Sequence, residues 1–214
     1  AVDVMQEAST EDFEMMAGIA HSDDTYLKMP VVSLAKNRII WLLVLMFSAM
    51  ITGAMLEHYE AAIATLPLLV SFIPMLMDTG GNCGSQAYTM IIRGMALDEI
   101  EPSDFLRVWW KEIRVALLCG GTLSVVNFVR IYLQYNVLAA EPNPDCVRIA
   151  AVVSLTLIAT VCIAKSLGCI LPMLAKKLKL DPALMAAPMI TTVTDACSIL
   201  VFFSLALTIL RDRL

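Results

Sequence analysis

Two polar stretches interrupt an otherwise apolar chain, and their side chains could bind a hard metal cation. The first, residues 74–86, holds Asp78, three glycines and the amide side chains of Asn82 and Gln86. The second, residues 188–198, places Asp195 inside the last apolar segment. Carboxylate, carbonyl and hydroxyl oxygens are the ligands that Mg²⁺ and Ca²⁺ prefer. We therefore expect the two stretches to face each other and to line a path for an ion.

Asp195 lies near the middle of its apolar segment. An ionised Asp at the centre of a bilayer costs about 2.5–3.5 kcal/mol on insertion scales, so it needs water, a partner or an ion. In a helix, Thr191, Thr192, Asp195 and Ser198 would share one polar face. A purely structural alternative is that the hydroxyls bond back to the helix and that Asp195 pairs with a lysine. The polar stripe favours an ion pathway.

Gly80, Gly81 and Gly84 permit a close approach of the backbone. Glycines alone would be explained by helix packing, but Asp78, Asn82 and Gln86 beside them favour a cation site. The carboxylates are too few for an all-protein cage, and Mg²⁺ loses its waters reluctantly. The sequence therefore favours a site that holds the hydrated ion through its water shell.

The composition predicts an all-α, polytopic membrane protein. Of 214 residues, 59% are hydrophobic and 16% charged, against about 45–50% and 25% in soluble domains. The apolar runs predict five transmembrane helices, near residues 39–56, 61–93, 115–135, 147–174 and 182–210. Residues 94–114 are predicted to form a connector whose end, with Trp109, Trp110, Lys111 and Arg114, anchors at the membrane surface. The second run would be about 50 Å long as one helix, so we expect it to be kinked, broken at the glycines, or longer than the bilayer is thick.

Residues 1–37 are predicted to be a cytoplasmic linker with an amphipathic helix, and residues 38–214 the transmembrane pore domain. The linker is acidic and lacks Lys and Arg up to residue 27, which is typical of a solvated helix face or of a divalent-cation sensor. Lys and Arg concentrate on the side of the N-terminus, so the positive-inside rule places the N-terminus in the cytoplasm and the C-terminus outside the cell membrane. No basic run indicates a nucleic-acid partner.

The motif Gly-Gly-Asn-Cys-Gly-Ser-Gln at 80–86 resembles the GGNxGxQ signature of the MgtE family of magnesium channels and transporters. Leu-Gly-Cys-Ile-Leu-Pro at 167–172, Asp-Pro-Ala at 181–183 and the Thr194–Asp195 pair follow in that family's order and spacing. The resemblance covers essentially the whole chain.

The resemblance implies a homodimer in the lipid bilayer, with the pore at the dimer interface and Mg²⁺ as the transported and bound ion. Asp195 would hold the hydrated ion beside Thr191 and Gly81, with Asn82 and Asp78 close by. The regulatory CBS domains of the family would lie outside this chain.

Asp78 and Lys165 depart from the family pattern, which has a small residue and an uncharged residue at these places. Lys165 lies within the fourth predicted span, about 16 Å along the helix from Lys176. The two opposite charges suggest compensation, so we hypothesise that Lys165 pairs with Asp78 or Asp195.

The leading hypothesis is magnesium transport through a dimeric pore. A proton- or sodium-coupled cation transporter that uses Asp78, Lys165 and Asp195 is the alternative, because buried ionisable groups mark such relays. A third possibility is a membrane scaffold or sensor without transport. No arrangement of nucleophile and histidine indicates an enzyme.

Overall fold

The computed structural model describes residues 27–179 and 187–212, and these residues contain helices but no strand. The α-helices are α1 (Val31–His58), α2 (Glu60–Thr65), α3 (Ile73–Ala96), α4 (Phe105–Tyr132), α5 (Cys146–Lys177) and α6 (Ala187–Ile209). Short 3₁₀ turns at Pro67–Phe72 and Pro102–Asp104 precede α3 and α4, and a π turn at Leu133–Val137 ends α4. The linker helix expected before residue 22 and the start of the last helix at residue 182 lie outside the described residues.

Helix α1 is apolar on almost all its sides and packs mainly against α6. Its large side chains, among them Ile40, Phe47 and Met50, are exposed in the single chain. A helix that is hydrophobic all round needs an apolar environment, either protein or lipid. The helix runs without interruption through residues 37 and 38, so the amphipathic segment that begins at Val31 is its first two turns. The boundary predicted there between linker and pore domain stays a prediction.

The second apolar run is broken at Leu66 and Pro67, so of the three alternatives given for this run, a break at the glycines is wrong. Leu66 has φ −131° and ψ 76°, outside the helical region. A proline disfavours the α conformation in the residue before it, and its ring fits the first turn of the next helix. The glycines instead lie inside α3, which is continuous from Ile73 to Ala96.

Helix α5 is the centre of the bundle, and α3, α4 and α6 all pack on it. Two reciprocal hydrogen bonds join α4 to α5: the Ser124 hydroxyl donates to the Ser154 carbonyl (2.9 Å), and the Ser154 hydroxyl donates to the Ser124 carbonyl (3.2 Å). Gly120 also lies close to the backbone of Ile158. Small and hydroxylated residues are typical of close contacts between helices in membranes.

Helix α4 begins at Phe105, ten residues before the start that the apolar run predicts. Glu101 and Asp104 form a capping box ahead of it, which satisfies backbone N–H groups at the start of a helical segment. The charged residues of the predicted connector therefore lie in the first three turns of the helix. They are Arg107, Lys111, Glu112 and Arg114. This extension brings Glu112 into the bundle.

Four helical segments of the described residues are long and apolar enough to cross a membrane: Val31–His58, Pro102–Val137, Cys146–Lys177 and Met189–Ile209. The all-α membrane architecture is confirmed to that extent. Helix α3 has 24 residues, about 36 Å at 1.5 Å per residue, but it is more polar than these four. Its assignment as a further span stays a prediction.

Candidate cation site

The glycine motif packs α3 tightly against α5 and α6. A β-carbon at Gly80 would lie 2.7 Å from the Cγ2 atoms of both Thr160 and Thr194. Thr160 lies on α5 and Thr194 on α6, so Gly80 marks the point where the three helices meet. Such distances exclude any side chain without movement of the threonines. The packing role that the sequence allows for the glycines is therefore present.

Gly81 and Gly84 extend this contact along α6. A β-carbon on Gly81 would lie 2.9 Å from Cγ2 of Thr191, and one on Gly84 would lie 2.9 Å from Cγ2 of Ile190. The expectation that residues 74–86 and 188–198 face each other is thus correct for these contacts. Gly81 and Thr191, both predicted metal-site residues, lie directly against each other.

The hydroxyls of Thr160 and Thr194 are buried behind the glycine motif without a hydrogen-bond partner in the described residues. Both residues are fully buried. Ser198, one turn further along α6, donates its hydroxyl to the Thr194 carbonyl at 2.7 Å. A buried hydroxyl without a hydrogen-bond partner lowers the free energy of unfolding. The two threonine hydroxyls at this helix junction therefore do not serve stability.

The opposite face of α3 carries an exposed polar stripe. Asp78, Asn82 and Gln86 follow at intervals of four residues and are all exposed in the single chain, so they lie one above another on the helix. The glycines point into the bundle, and the amides and Asp78 point out of it. Because polar side chains at membrane depth need water or protein around them, this stripe requires a wet or protein-covered surface.

Asp195 lies on α6, one turn after Thr191, whose side chain contacts Gly81. It is half-buried, and its carboxyl group is close enough to that of Asp78 for a Coulombic interaction. Two carboxylates on neighbouring helices repel each other unless a cation or a proton intervenes. No group of three or more His, Cys, Asp or Glu side chains that could hold a metal is found in the described part of the chain. The arrangement therefore offers two carboxylates and neighbouring oxygens rather than a complete ligand shell.

Lys165 pairs with neither aspartate, so the hypothesis that it does is wrong. Its Nζ lies 3.4 Å from Oε2 of Glu112 on α4. Glu112 is predicted to lie in the connector at residues 94–114, whereas the early start of α4 brings it beside α5. A relay through Asp78, Lys165 and Asp195 therefore lacks its lysine, and the coupled-transporter alternative loses this support.

Comparison with known proteins gives the family. Residues 73–205 match the MgtE family of divalent cation transporters, a stretch that contains the glycine motif and Asp195. The chain belongs to the MgtE family. It is 32% identical over 205 residues to the magnesium transporter MgtE of Thermus thermophilus and 31% identical over 206 residues to that of Bacillus subtilis. Identity to the magnesium transporter MgtE of Enterococcus faecalis is 27% over 212 residues.

The chain spans less than half the length of these MgtE relatives. The alignments cover 96% to 98% of the chain and 43% to 44% of the relatives. The resemblance inferred from the motif at residues 80–86 is thus confirmed at the level of the family. The alignments leave more than half of each relative unmatched, so the activity of this chain is a proposal, made below.

Thr160 and Glu112 are the residues of this region that sequence reasoning missed. Thr160 lies in an apolar run without any motif, and only its position opposite Gly80 distinguishes it. Glu112 carried a usable signal: an unusual lysine within the fourth span requires an acidic partner. Helical periodicity continued back from residue 115 would have identified Glu112 as a candidate.

Proposed function

We propose that this chain carries Mg²⁺ across a membrane through a pore formed by two copies of it. Asp195 attracts the hydrated ion, and oxygens near Thr191 and Gly81 contact its water shell. Asn82 and Asp78 extend the site along the exposed face of α3. The family match, and the fact that the relatives are magnesium transporters, support Mg²⁺ as the substrate.

The observation that carries the proposal is the proximity of Asp78 on α3 to Asp195 on α6. The two carboxyl groups interact electrostatically, and the exposed stripe of α3 begins at Asp78. A negatively charged, polar strip on a membrane helix attracts cations and needs water. Both needs are met when the strip lines an aqueous pore.

A second copy of the chain supplies the other wall of that pore in this proposal. The polar stripe is exposed in a single chain, and contact with lipid would leave its amides and carboxylate without partners. In the proposed dimer, each protomer has five spanning helices, namely α3 and the four apolar segments described above. The N-terminus lies in the cytoplasm and the C-terminus outside, as the distribution of Lys and Arg indicates.

The test is Mg²⁺ uptake into liposomes that contain the purified chain and a Mg²⁺-sensitive dye. We expect uptake by the wild type, and loss of uptake on Asp195→Ala with the dimer intact in detergent by light scattering. Asp212→Asn is the matched control, because Asp212 is 83% exposed beyond the end of α6. Uptake undiminished by Asp195→Ala would refute the proposal. Competition by Mn²⁺, Co²⁺, Ca²⁺ and Na⁺ in the same assay measures selectivity.

A further inference from the structure

A buried pair of opposite charges lies between α4 and α5. The Lys165 side chain is 6% exposed and the Glu112 side chain 15% exposed, and their charged atoms are 3.4 Å apart. Lys165 lies in the middle third of α5, so neither end of that helix offers its ammonium group an easy route to water. Removing one partner of such a pair leaves an uncompensated charge in the interior. The net charge of this region therefore depends on both residues.

The positive member of the pair lies behind the glycine motif. The carbonyl oxygen of Ala164, the residue before Lys165, is 3.3 Å from the position of a β-carbon on Gly84. The ammonium group also acts electrostatically on the thiol of Cys83, which lies on the buried side of α3. Asp78 and Asn82 lie on the exposed side of the same helix. Helix α3 thus lies between the charge of Lys165 and the proposed cation path.

Glu112 also borders a cavity of about 380 Å³ between the end of α3 and the start of α4. Arg93, Arg107 and Lys111 contribute to the same cavity wall, together with the acidic groups of Glu99 and Asp104. Asp104 accepts a hydrogen bond from the Glu101 backbone N–H at the start of the helical segment. The cavity wall thus carries three basic and three acidic side chains, Glu112 included, so loss of Glu112 would leave both this wall and Lys165 with an excess of positive charge.

We propose that Glu112 is a positioning residue for cation transport, which holds the Lys165 ammonium against α4 and cancels its charge behind the glycine motif. This inference rests on the proposed function. The inference predicts the sign of the effect of losing each residue. Without Glu112 the ion path faces an extra positive charge, and without Lys165 it faces an extra negative one. A divalent cation responds to these changes in opposite directions.

The experiment compares Mg²⁺ uptake by Glu112→Gln, Lys165→Met and the double variant in the liposome assay. Glu112→Gln should raise the half-saturating Mg²⁺ concentration by at least about fivefold, because the uncancelled positive charge of Lys165 repels a divalent cation across one helix. Lys165→Met should lower it, because the uncancelled negative charge of Glu112 then attracts the cation. The double variant should return it to within about twofold of wild type, since the region is again neutral. Glu112→Asp keeps the charge and should stay close to wild type.

A purely structural role gives a different result. Each single variant would then lower stability and maximal rate in the same direction, without opposite shifts in half-saturation. Shifts of the two single variants in the same direction, or a double variant as impaired as Glu112→Gln, would overturn the inference. The matched control is Asp212→Asn, which removes one partner of the exposed Arg148–Asp212 pair and should change half-saturation less than twofold.

Two further results separate the possible failures. If Glu112→Gln does not fold, the Lys165→Met background carries the test: adding Glu112→Gln there should raise half-saturation back to the wild-type value, and no change would overturn the inference. Absence of Mg²⁺ uptake by the wild type would refute the proposed function and, with it, this inference. Wild-type uptake without the opposite shifts would refute only the role of Glu112.

Discussion

Gly81 of α3 lies directly against Thr191 of α6, where an added β-carbon would be 2.9 Å from the threonine Cγ2 and 3.3 Å from its Cβ. This contact joins the two polar stretches that the sequence analysis expects to face each other. It also means that one glycine has two roles to test. Its small size permits the helix contact, and its backbone is a predicted part of the cation site.

We expect Gly81→Ala to lower the free energy of unfolding by about 1–3 kcal/mol and to slow Mg²⁺ uptake. The added methyl group overpacks a contact that has no spare space. Thr191→Ser in the same chain removes the nearest methyl group but keeps the hydroxyl, so it should recover part of both losses. Chemical unfolding in detergent and liposome flux measure the two effects.

Gly121 on α4 is the matched control for this change. No atom of the residues that the structure describes lies within 4 Å of a β-carbon placed there, and alanine is the better helix former by up to about 1 kcal/mol. Gly121→Ala should leave stability unchanged or slightly raised, with normal uptake. Equal losses for Gly81→Ala and Gly121→Ala would contradict the packing account of the motif.

Gly168→Ala should be more damaging than Gly81→Ala and should resist rescue. A β-carbon at Gly168 would be 3.0 Å from the backbone nitrogen of Tyr88 and 3.0 Å from Cβ of Ala87, and would meet the carbonyl oxygen of Gly84. Backbone atoms cannot be trimmed away, so helices α3 and α5 must separate. Thermal unfolding of Gly168→Ala, alone and with Ala87→Gly, checks this. Full recovery by Ala87→Gly would show that the side chain, not the backbone, sets the contact.

The apolar runs predicted the spans best where the sequence marks both ends. Helix α5 was predicted at 147–174 and is found at Cys146–Lys177, because a polar loop and a lysine cluster delimit it. The start of α4 was predicted ten residues late, since charged residues there suggested a connector. Their long side chains tolerate a helical position near a membrane surface, so charge alone does not end a helix.

The sequence could offer Glu112 only as a candidate partner of Lys165 and could not establish the pair. An ion pair between α4 and α5 joins residues 53 positions apart, and periodicity within one helix does not fix the rotation of a neighbouring one. The faces of α3 were predictable in principle, because the glycines and the polar side chains alternate with a helical period. The glycine face points into the bundle because Gly80 packs against Thr160 and Thr194. No motif identifies Thr160, so the sequence does not show which face is buried.

Trp109 should contribute more to stability than its neighbour Trp110. The indole Nε1 of Trp109 donates a hydrogen bond to the Ser166 hydroxyl at 3.1 Å, which joins α4 to α5, whereas Trp110 is exposed. Trp109→Phe removes the donor but keeps most of the aromatic surface, and we expect a loss of about 1 kcal/mol. Trp110→Phe is the control and should lose less than half of that in the same unfolding measurement. A larger loss at Trp110 would contradict the contact between Trp109 and Ser166.

Mg²⁺ should stabilise the wild-type chain more than the Asp78→Asn variant. Without a divalent cation the carboxylates of Asp78 and Asp195 repel each other; because Asp78 is exposed and water screens this repulsion, Asp78→Asn should raise the metal-free free energy of unfolding only slightly. A ligand at one hundred times its dissociation constant stabilises the folded state by about 2.7 kcal/mol, and loss of one carboxylate should reduce that increment. Unfolding of both proteins with and without Mg²⁺ gives the four values needed. Glu57→Gln, an exposed change at the end of α1, should alter neither value, and an undiminished Mg²⁺ increment in Asp78→Asn would place Asp78 outside the site.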